Sequence, residues 1–197
     1  MDYIRQLSWI ADTNGGIIET KSAVQHGISK AMLSKLCKNN QIQRIAKGQY
    51  ILPDDLEDEL FSISKRSSQF VFSHETALFL HGISDRTPFI HTLTVPTGYT
   101  PSAIIRKECK VYHIKPELFT LGKIEKKTPA GNLVPCYDLE RTICDCVRSR
   151  NKMGTETFLS ALKLYAGDPR KDLNKLNFYA TKLRISKVLR QYLEVLL

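Results

Sequence analysis

Lys30, Lys35 and Lys38 fall within nine residues of the stretch GISKAMLSKLCKNNQIQRIAKGQYIL (residues 27–52), and Arg44 and Lys47 follow them. Cations grouped this closely neutralise phosphates. Ser29, Ala31 and Ser34 between them are small enough to leave room for base edges. That chemistry is recognition of nucleic acid and breaks no bond. A second group would cut: Asp85, followed by Glu108 and Lys110, supplies two carboxylates for a divalent cation and a lysine for the charge at an attacked phosphate. The pattern is loose, because any acid upstream of Glu-x-Lys satisfies it. Glu108 flanked by Lys107 and Lys110 equally reads as a charged strand edge.

The remaining reactive side chains point to structure. Hydrolysis needs a nucleophile and an orienting acid beside a histidine. Ser73 next to His74 reads as a helix cap, and His81 before Gly82 as a helix end, where a cationic ring is favoured by the dipole. His91 and His113 alternate within strands, and Phe70, Phe72 and Phe89 read as core. The chain holds five cysteines. Cys144 and Cys146, two apart on a helix, point in different directions and do not build a zinc set with Cys136. Free, buried thiols are expected, with no metal and no cofactor.

These groups need elements to position them. Tyr3, Ile4, Leu7, Ile10 and Ala11 recur at helical spacing, and Asn14-Gly15-Gly16 stops that helix. Ile17-Ile18 reads as a very short strand, Thr20 as the cap of a short helix, and Ser29 as the cap of a helix from Lys30 to about Asn39. At about 100° per residue, Met32, Leu33, Leu36 and Cys37 share one side of that helix, and Lys30, Ala31, Ser34, Lys35 and Lys38 share the other. Two strand-like runs, Ile42 to Ala46 and Gln49 to Leu52, then flank a Lys47-Gly48 turn. This is the order of a winged helix-turn-helix, which sets its last helix in a DNA major groove and its hairpin alongside. The expected DNA contacts are Ser29, Lys30, Ser34, Lys35, Lys38, Arg44 and Lys47, with Gln49 and Tyr50 behind them on the returning strand.

Residues 53–69, starting PDDLEDELFSISKR, read as an acidic helical linker with Leu56, Leu60, Phe61 and Ile63 on its apolar side. Residues 70–197 read as a second, mixed α/β domain. It contains a helix over residues 74–81, strands at FIHTLTVP and KECKVYHIK, a hairpin turning at Pro129-Ala130-Gly131, and a closing group of helices. The fold class is α+β. On the helix LERTICDCVRSR, Arg141 and Arg148 are expected on the exposed side, with Arg141 paired to Asp145 one turn on.

The 197 residues are 42% hydrophobic and 25% charged, which fits a folded chain. No run approaches the ~20 apolar residues of a membrane span, and MDYIRQLSWIADTN lacks the pattern of a secretory signal, so a cytoplasmic protein is expected. The net charge of +9 is unevenly placed. Residues 1–52 hold seven Lys/Arg against three Asp/Glu, residues 53–69 two against five, and residues 70–197 twenty against twelve. Two basic blocks flank an acidic joint, as a polyanion-binding chain would arrange them. Arg106, Lys107, Lys110, Lys123, Lys126 and Lys127 in the second block would lengthen the contact with a duplex.

RIAKGQYILP, then SHETALFLHGISDRTP, then YDLERTICDCVRSR, in that order and over nearly the whole chain, resemble the AbiEi-type antitoxins of bacterial abortive-infection, or type IV toxin–antitoxin, systems. The resemblance implies an antitoxin in phage defence that represses its own operon. It would bind inverted repeats through the winged domain. The two basic blocks would favour cooperative self-association of two molecules on neighbouring repeats, through protein contact or DNA bending. The resemblance also implies that the C-terminal domain counters a nucleotidyltransferase-type toxin without needing a direct complex. No enzymatic activity is implied. A stand-alone winged-helix regulator, or a nuclease built on Asp85, Glu108 and Lys110, are the alternatives.

Overall fold

The computed structural model describes residues 2–84 and 86–193. The chain divides into two compact units, residues 1–66 with 128–132, and residues 67–127 with 133–197.

In the first unit, α1 (Tyr3–Thr13) starts at Asp2, whose carboxylate accepts the Arg5 N–H at 3.1 Å, and buries Leu7, Ile10 and Ala11. A short strand β1 (Ile18–Glu19) leads to α2 (Thr20–Gln25) and then α3 (Lys30–Lys38). β2 (Gln43–Ala46) and β3 (Gln49–Ile51) form an antiparallel hairpin. Gly48 takes φ +79° in its turn, a conformation that a Cβ disfavours. β1 pairs with the other edge of β3, so the sheet order is β1-β3-β2 and β3 is central. Leu7, Ile10, Ile18, Ala23, Ile28, Leu33, Leu36, Ile42 and Tyr50 make one core. Burying each large aliphatic there contributes about 1.5–3 kcal/mol.

The acidic segment differs from expectation. Helix α4 spans only Glu59–Ser64 and starts where Asp58 accepts the Phe61 N–H at 3.1 Å. Leu56 lies outside it and is almost fully exposed. Residues 53–66 are no linker but part of the first unit. Leu60, Phe61 and Ile63 are buried, and Ser62 exchanges two hydrogen bonds with Gln49. The turn at 128–132 completes this unit: Thr128 Oγ1 and Asn132 Nδ2 donate to the Asp58 carboxylate at 2.6 and 2.8 Å, and Asn132 Nδ2 also reaches the Gly15 carbonyl.

The second unit is a mixed sheet covered by helices. Its elements are β4 (Val71–Phe72), α5 (His74–Leu80), β5 (His91–Pro96), α6 (Ala103–Glu108), β6 (Cys109–Ile114), α7 (Pro116–Phe119), β7 (Lys123–Lys127), β8 (Leu133–Tyr137), α8 (Leu139–Arg148), α9 (Thr155–Gly167), α10 (Leu173–Lys182) and α11 (Ser186–Leu193). A 3₁₀ turn, Arg150–Lys152, follows α8. The strand order is β6-β5-β4-β8-β7, with β5/β6 and β4/β8 parallel and the other pairs antiparallel. Leu78, Ile143, Val147, Phe158, Leu162, Tyr165, Leu176 and Leu189 belong to its core.

Three expectations change here, and one strand is new: Val71 and Phe72, just before Ser73, pair with β5 and β8. Glu108 ends helix α6 and does not lie on a strand; only Cys109 onward pairs with β5. Phe70 and Phe72 are buried, whereas Phe89 is fully exposed. Finally, α8 is buried from Leu139 through Val147 on every side, Arg141 included. Of the closing group of helices, residues 194–197 lie outside the described residues, and among the described residues no helix is long and apolar enough to cross a membrane.

Candidate nucleic-acid interface

Helix α3 is fixed at its start by Ser29, whose hydroxyl accepts the Met32 N–H at 3.1 Å. Ile28, Leu33 and Leu36 hold it to the core, with Met32 and Cys37 half-buried beside them. Ser29, Lys30, Ala31, Ser34, Lys35 and Lys38 are all exposed. The helix therefore shows a continuous strip of small and cationic side chains on the side opposite its anchors. Among the described residues, no acid forms an ion pair with Lys30, Lys35 or Lys38. In the hairpin, Arg44 and Lys47 are exposed. Arg44 Nε donates to the Ala46 carbonyl at 3.3 Å, across a register shift between those two residues.

All seven expected contact residues thus lie on the surface of the first unit. Gln49, expected behind them, does not. It is 4% exposed, and Ser62 engages both ends of its amide: Nε2 donates to the Ser62 carbonyl at 3.1 Å, and Oε1 accepts the Ser62 hydroxyl at 2.9 Å. The cause is that both faces of β3 are covered: Ser62 of α4 meets Gln49 on one side, and Tyr50, pointing to the other, packs in the core of the unit. Lys21 on α2 and Gln43 on β2 are exposed polar residues on the neighbouring elements that the charge pattern of α3 alone does not bring forward.

The second unit holds a buried polar centre. His74, at φ +47° on the first position of α5, stacks on Tyr112 with ring centroids 3.6 Å apart. Its Nδ1 lies 2.9 Å from Ser73 Oγ and its Nε2 3.0 Å from Ser149 Oγ. Ser73 sits at the cap position, but its hydroxyl makes no cap bond; it accepts from Thr94 Oγ1 at 2.8 Å. Burial, with the nearby Lys110 and Arg148 charges, lowers the His74 pKa to about 3, so the ring is neutral. His81 also departs from the cationic helix end expected for it. Burial lowers its pKa, and its Nε2 donates to the Tyr137 carbonyl at 2.8 Å. Desolvation outweighs the helix dipole at that position.

Arg141, expected at the surface, is fully buried. It makes the anticipated pair with Asp145, Nε to Oδ2 3.0 Å, and also donates to the carbonyls of Leu118 and Leu121 at 3.0 and 2.6 Å. Gly122 leaves room for it: a Cβ there would stand 2.8 Å from the Arg141 Cβ. Burial raises the Asp145 pKa while Arg141 opposes the shift. Arg148, by contrast, is partly exposed, 3.9 Å from Asp145.

Of the three residues of the nuclease alternative, Asp85 lies outside the described residues, Glu108 ends a helix rather than lying on a strand, and Lys110 Nζ reaches Glu75 at 3.5 Å and the Lys152 carbonyl. Cys136, Cys144 and Cys146 are buried, and burial raises all three thiol pKa values. Among the described residues no group of three His, Cys, Asp or Glu side chains comes together to hold a metal.

No protein-family model matches the chain, and neither does any curated protein. Among solved structures, it is similar to the crystal structure of the RV2827C protein from Mycobacterium tuberculosis, with a TM-score of 0.67 at 14% identity, covering 90% of this chain and 70% of that one. At that identity the likeness is one of fold, a mixed α+β architecture.

Proposed function

We propose that the first unit is a winged helix-turn-helix and that the chain is a DNA-binding antitoxin of the type IV class. Helix α3 would enter the major groove, and the β2–β3 hairpin would lie against the backbone as the wing. One observation carries the DNA reading. The exposed strip of α3 is made only of small and cationic side chains, Ser29, Lys30, Ala31, Ser34, Lys35 and Lys38, while Leu33 and Leu36 anchor the opposite side. Lysines meet phosphates, and small residues let the helix approach base edges. Arg44 and Lys47 extend the cationic surface into the hairpin.

The antitoxin part rests on the resemblance of the three sequence segments. In that reading the protein represses its own operon at inverted repeats, and the second unit counters a nucleotidyltransferase-type toxin without catalysis. The test has two arms. In gel shifts of the full chain on its own promoter, Lys35→Ala with Lys38→Ala should weaken binding to all sequences alike. The salt dependence should flatten by about 0.9 for each phosphate that is no longer neutralised. No shift by the wild-type chain at low salt sinks the DNA reading. In a co-expression assay, the wild-type chain should rescue growth from the nucleotidyltransferase-type toxin that this reading places in its operon. Failure to rescue sinks the antitoxin reading and leaves the DNA reading standing.

A further inference from the structure

The second unit contains a pocket of about 440 Å³ between β6 and the end of α8. Its polar lining includes Lys110, Tyr112, His113, Arg148, Asn151 and Lys152, with Ser149 beside them, and none of its described lining residues is acidic. Arg148 also lines an adjoining depression of about 270 Å³, where Ile114, Leu118 and Leu183 supply an apolar wall, Lys115, Lys182 and Arg184 three more cations, and Glu117, 3.9 Å from Lys115, one carboxylate. Asp145 lies within 3.9 Å of Arg148, but its closer bond is to Arg141 at 3.0 Å. Arg148 therefore keeps guanidinium donors for an outside partner. Lys110 Nζ reaches Glu75 at 3.5 Å, donates to the Lys152 carbonyl and stands over the Tyr112 ring, so it offers a ligand its charge more than a free N–H. The Tyr112 hydroxyl is buried beside the Lys110 ammonium and makes no hydrogen bond of normal geometry among the described residues, which leaves its proton for a ligand oxygen. The field there is positive, since Lys110 and Arg148 add to burial in holding down the pKa of His74, which stacks on Tyr112.

We propose that this pocket binds a nucleotide-sized organic phosphate, with its phosphoryl groups against Lys110, Arg148 and Lys152 and its organic part over Ile114, Leu118 and Leu183. Three cations and several neutral donors, with no carboxylate in the lining of the larger pocket, are the chemistry of an anion site, and the one acid of the adjoining depression, Glu117, is matched there by Lys115. The volume suits a small ligand, and the apolar wall beside it suits one that is not only phosphate.

The test is calorimetric titration of the full chain with ADP, pyrophosphate and a short single-stranded oligonucleotide. ADP should bind at one site, at least tenfold more tightly than pyrophosphate. Arg148→Gln with Lys152→Gln should lower ADP affinity at least tenfold, and Tyr112→Phe, which keeps the stack on His74, by a few-fold, with thermal unfolding of both variants near that of the wild type. Undetectable ADP binding at about millimolar concentration, or equal affinity in the double variant, overturns the site. Pyrophosphate binding as tightly as ADP overturns the place given to the organic part. An oligonucleotide that binds more tightly than ADP, and loses affinity in the same double variant, overturns the small-ligand assignment in favour of a nucleic-acid backbone.

Discussion

Helices α3 and α8 are nine and ten residues long, and both mix apolar with charged side chains. Their charges end in opposite places. In α3 the lysines stand in solvent opposite Leu33 and Leu36. In α8, Glu140, Arg141 and Asp145 are buried, and their partners come from distant parts of the chain: the carbonyls of Leu118 and Leu121, the N–H of Asp172, and Lys175 at 3.8 Å from Glu140. A charged stripe along a helix therefore says which residues share a side, but not whether water or protein meets it. In α3 the charges stay hydrated and are free for a partner. In α8 they are desolvated and bound to one arrangement of their neighbours.

Arg141→Ala breaks that contrast most severely. It leaves Asp145 as a buried charge without its closest cation and should cost about 3–5 kcal/mol, read by urea unfolding. Arg141→Met with Asp145→Leu should recover much of the loss. Each lysine of α3 replaced by Ala should move stability by no more than about 0.5 kcal/mol. An Arg141→Ala protein as stable as the wild type would erase the distinction.

His74 tests whether the buried polar centre behaves as α8 does. The unfolded ring titrates near 6.5, and the folded one at about 3. The unfolded state thus binds more protons between these values, so stability is complete above pH 6.5 and falls as pH drops toward 3. Between pH 6.5 and 4.5 the loss from this group should reach about 2–3 kcal/mol. His74→Asn, which tolerates the positive φ, should remove that part of the acid sensitivity. An unchanged pH profile in the variant would mean that the ring is not held neutral.

Gln49 and Lys47, two residues apart across the hairpin turn, bring the comparison inside the first unit. Gln49→Ala should cost about 1–3 kcal/mol by stranding Ser62, and should alter DNA binding only through folding. Lys47→Ala should do the reverse, leaving thermal unfolding in place and lowering affinity in gel shifts. The smallest effect belongs to Ser34→Ala. It should change the preference between related operator sequences by about 1 kcal/mol or less while keeping the salt slope. If the ranking of sequences stays as it was, Ser34 does not face the bases.

Local signals explain what can be read from the residues. The Ser29 cap, the two sides of α3 and the Lys47-Gly48 turn each depend on residues a few positions apart, and each appears as expected. The Arg141–Asp145 pair is legible too, since it spans one helical turn. Its burial is not, because Leu118 and Leu121 stand 23 and 20 positions away. β4 is hidden by its two-residue length and by the helix that follows directly. Gln49 departs from its expected place because its cover comes from Ser62, 13 positions on in a segment that reads as a linker. The pocket at Arg148 joins β6 to residues 148–152, and no spacing within either segment announces the other.

The membership of residues 128–132 in the first unit bears on where the chain can be cut. Asp58 begins α4 with one oxygen and receives Thr128 and Asn132 on the other, so a fragment ending at Arg66 would leave that second oxygen to solvent. It would also uncover the Gly15 carbonyl that Asn132 now occupies. An isolated amino-terminal piece is thus a different molecule from the same residues in the intact protein. Domain-dissection work on this chain is better done by silencing side chains in place than by truncation.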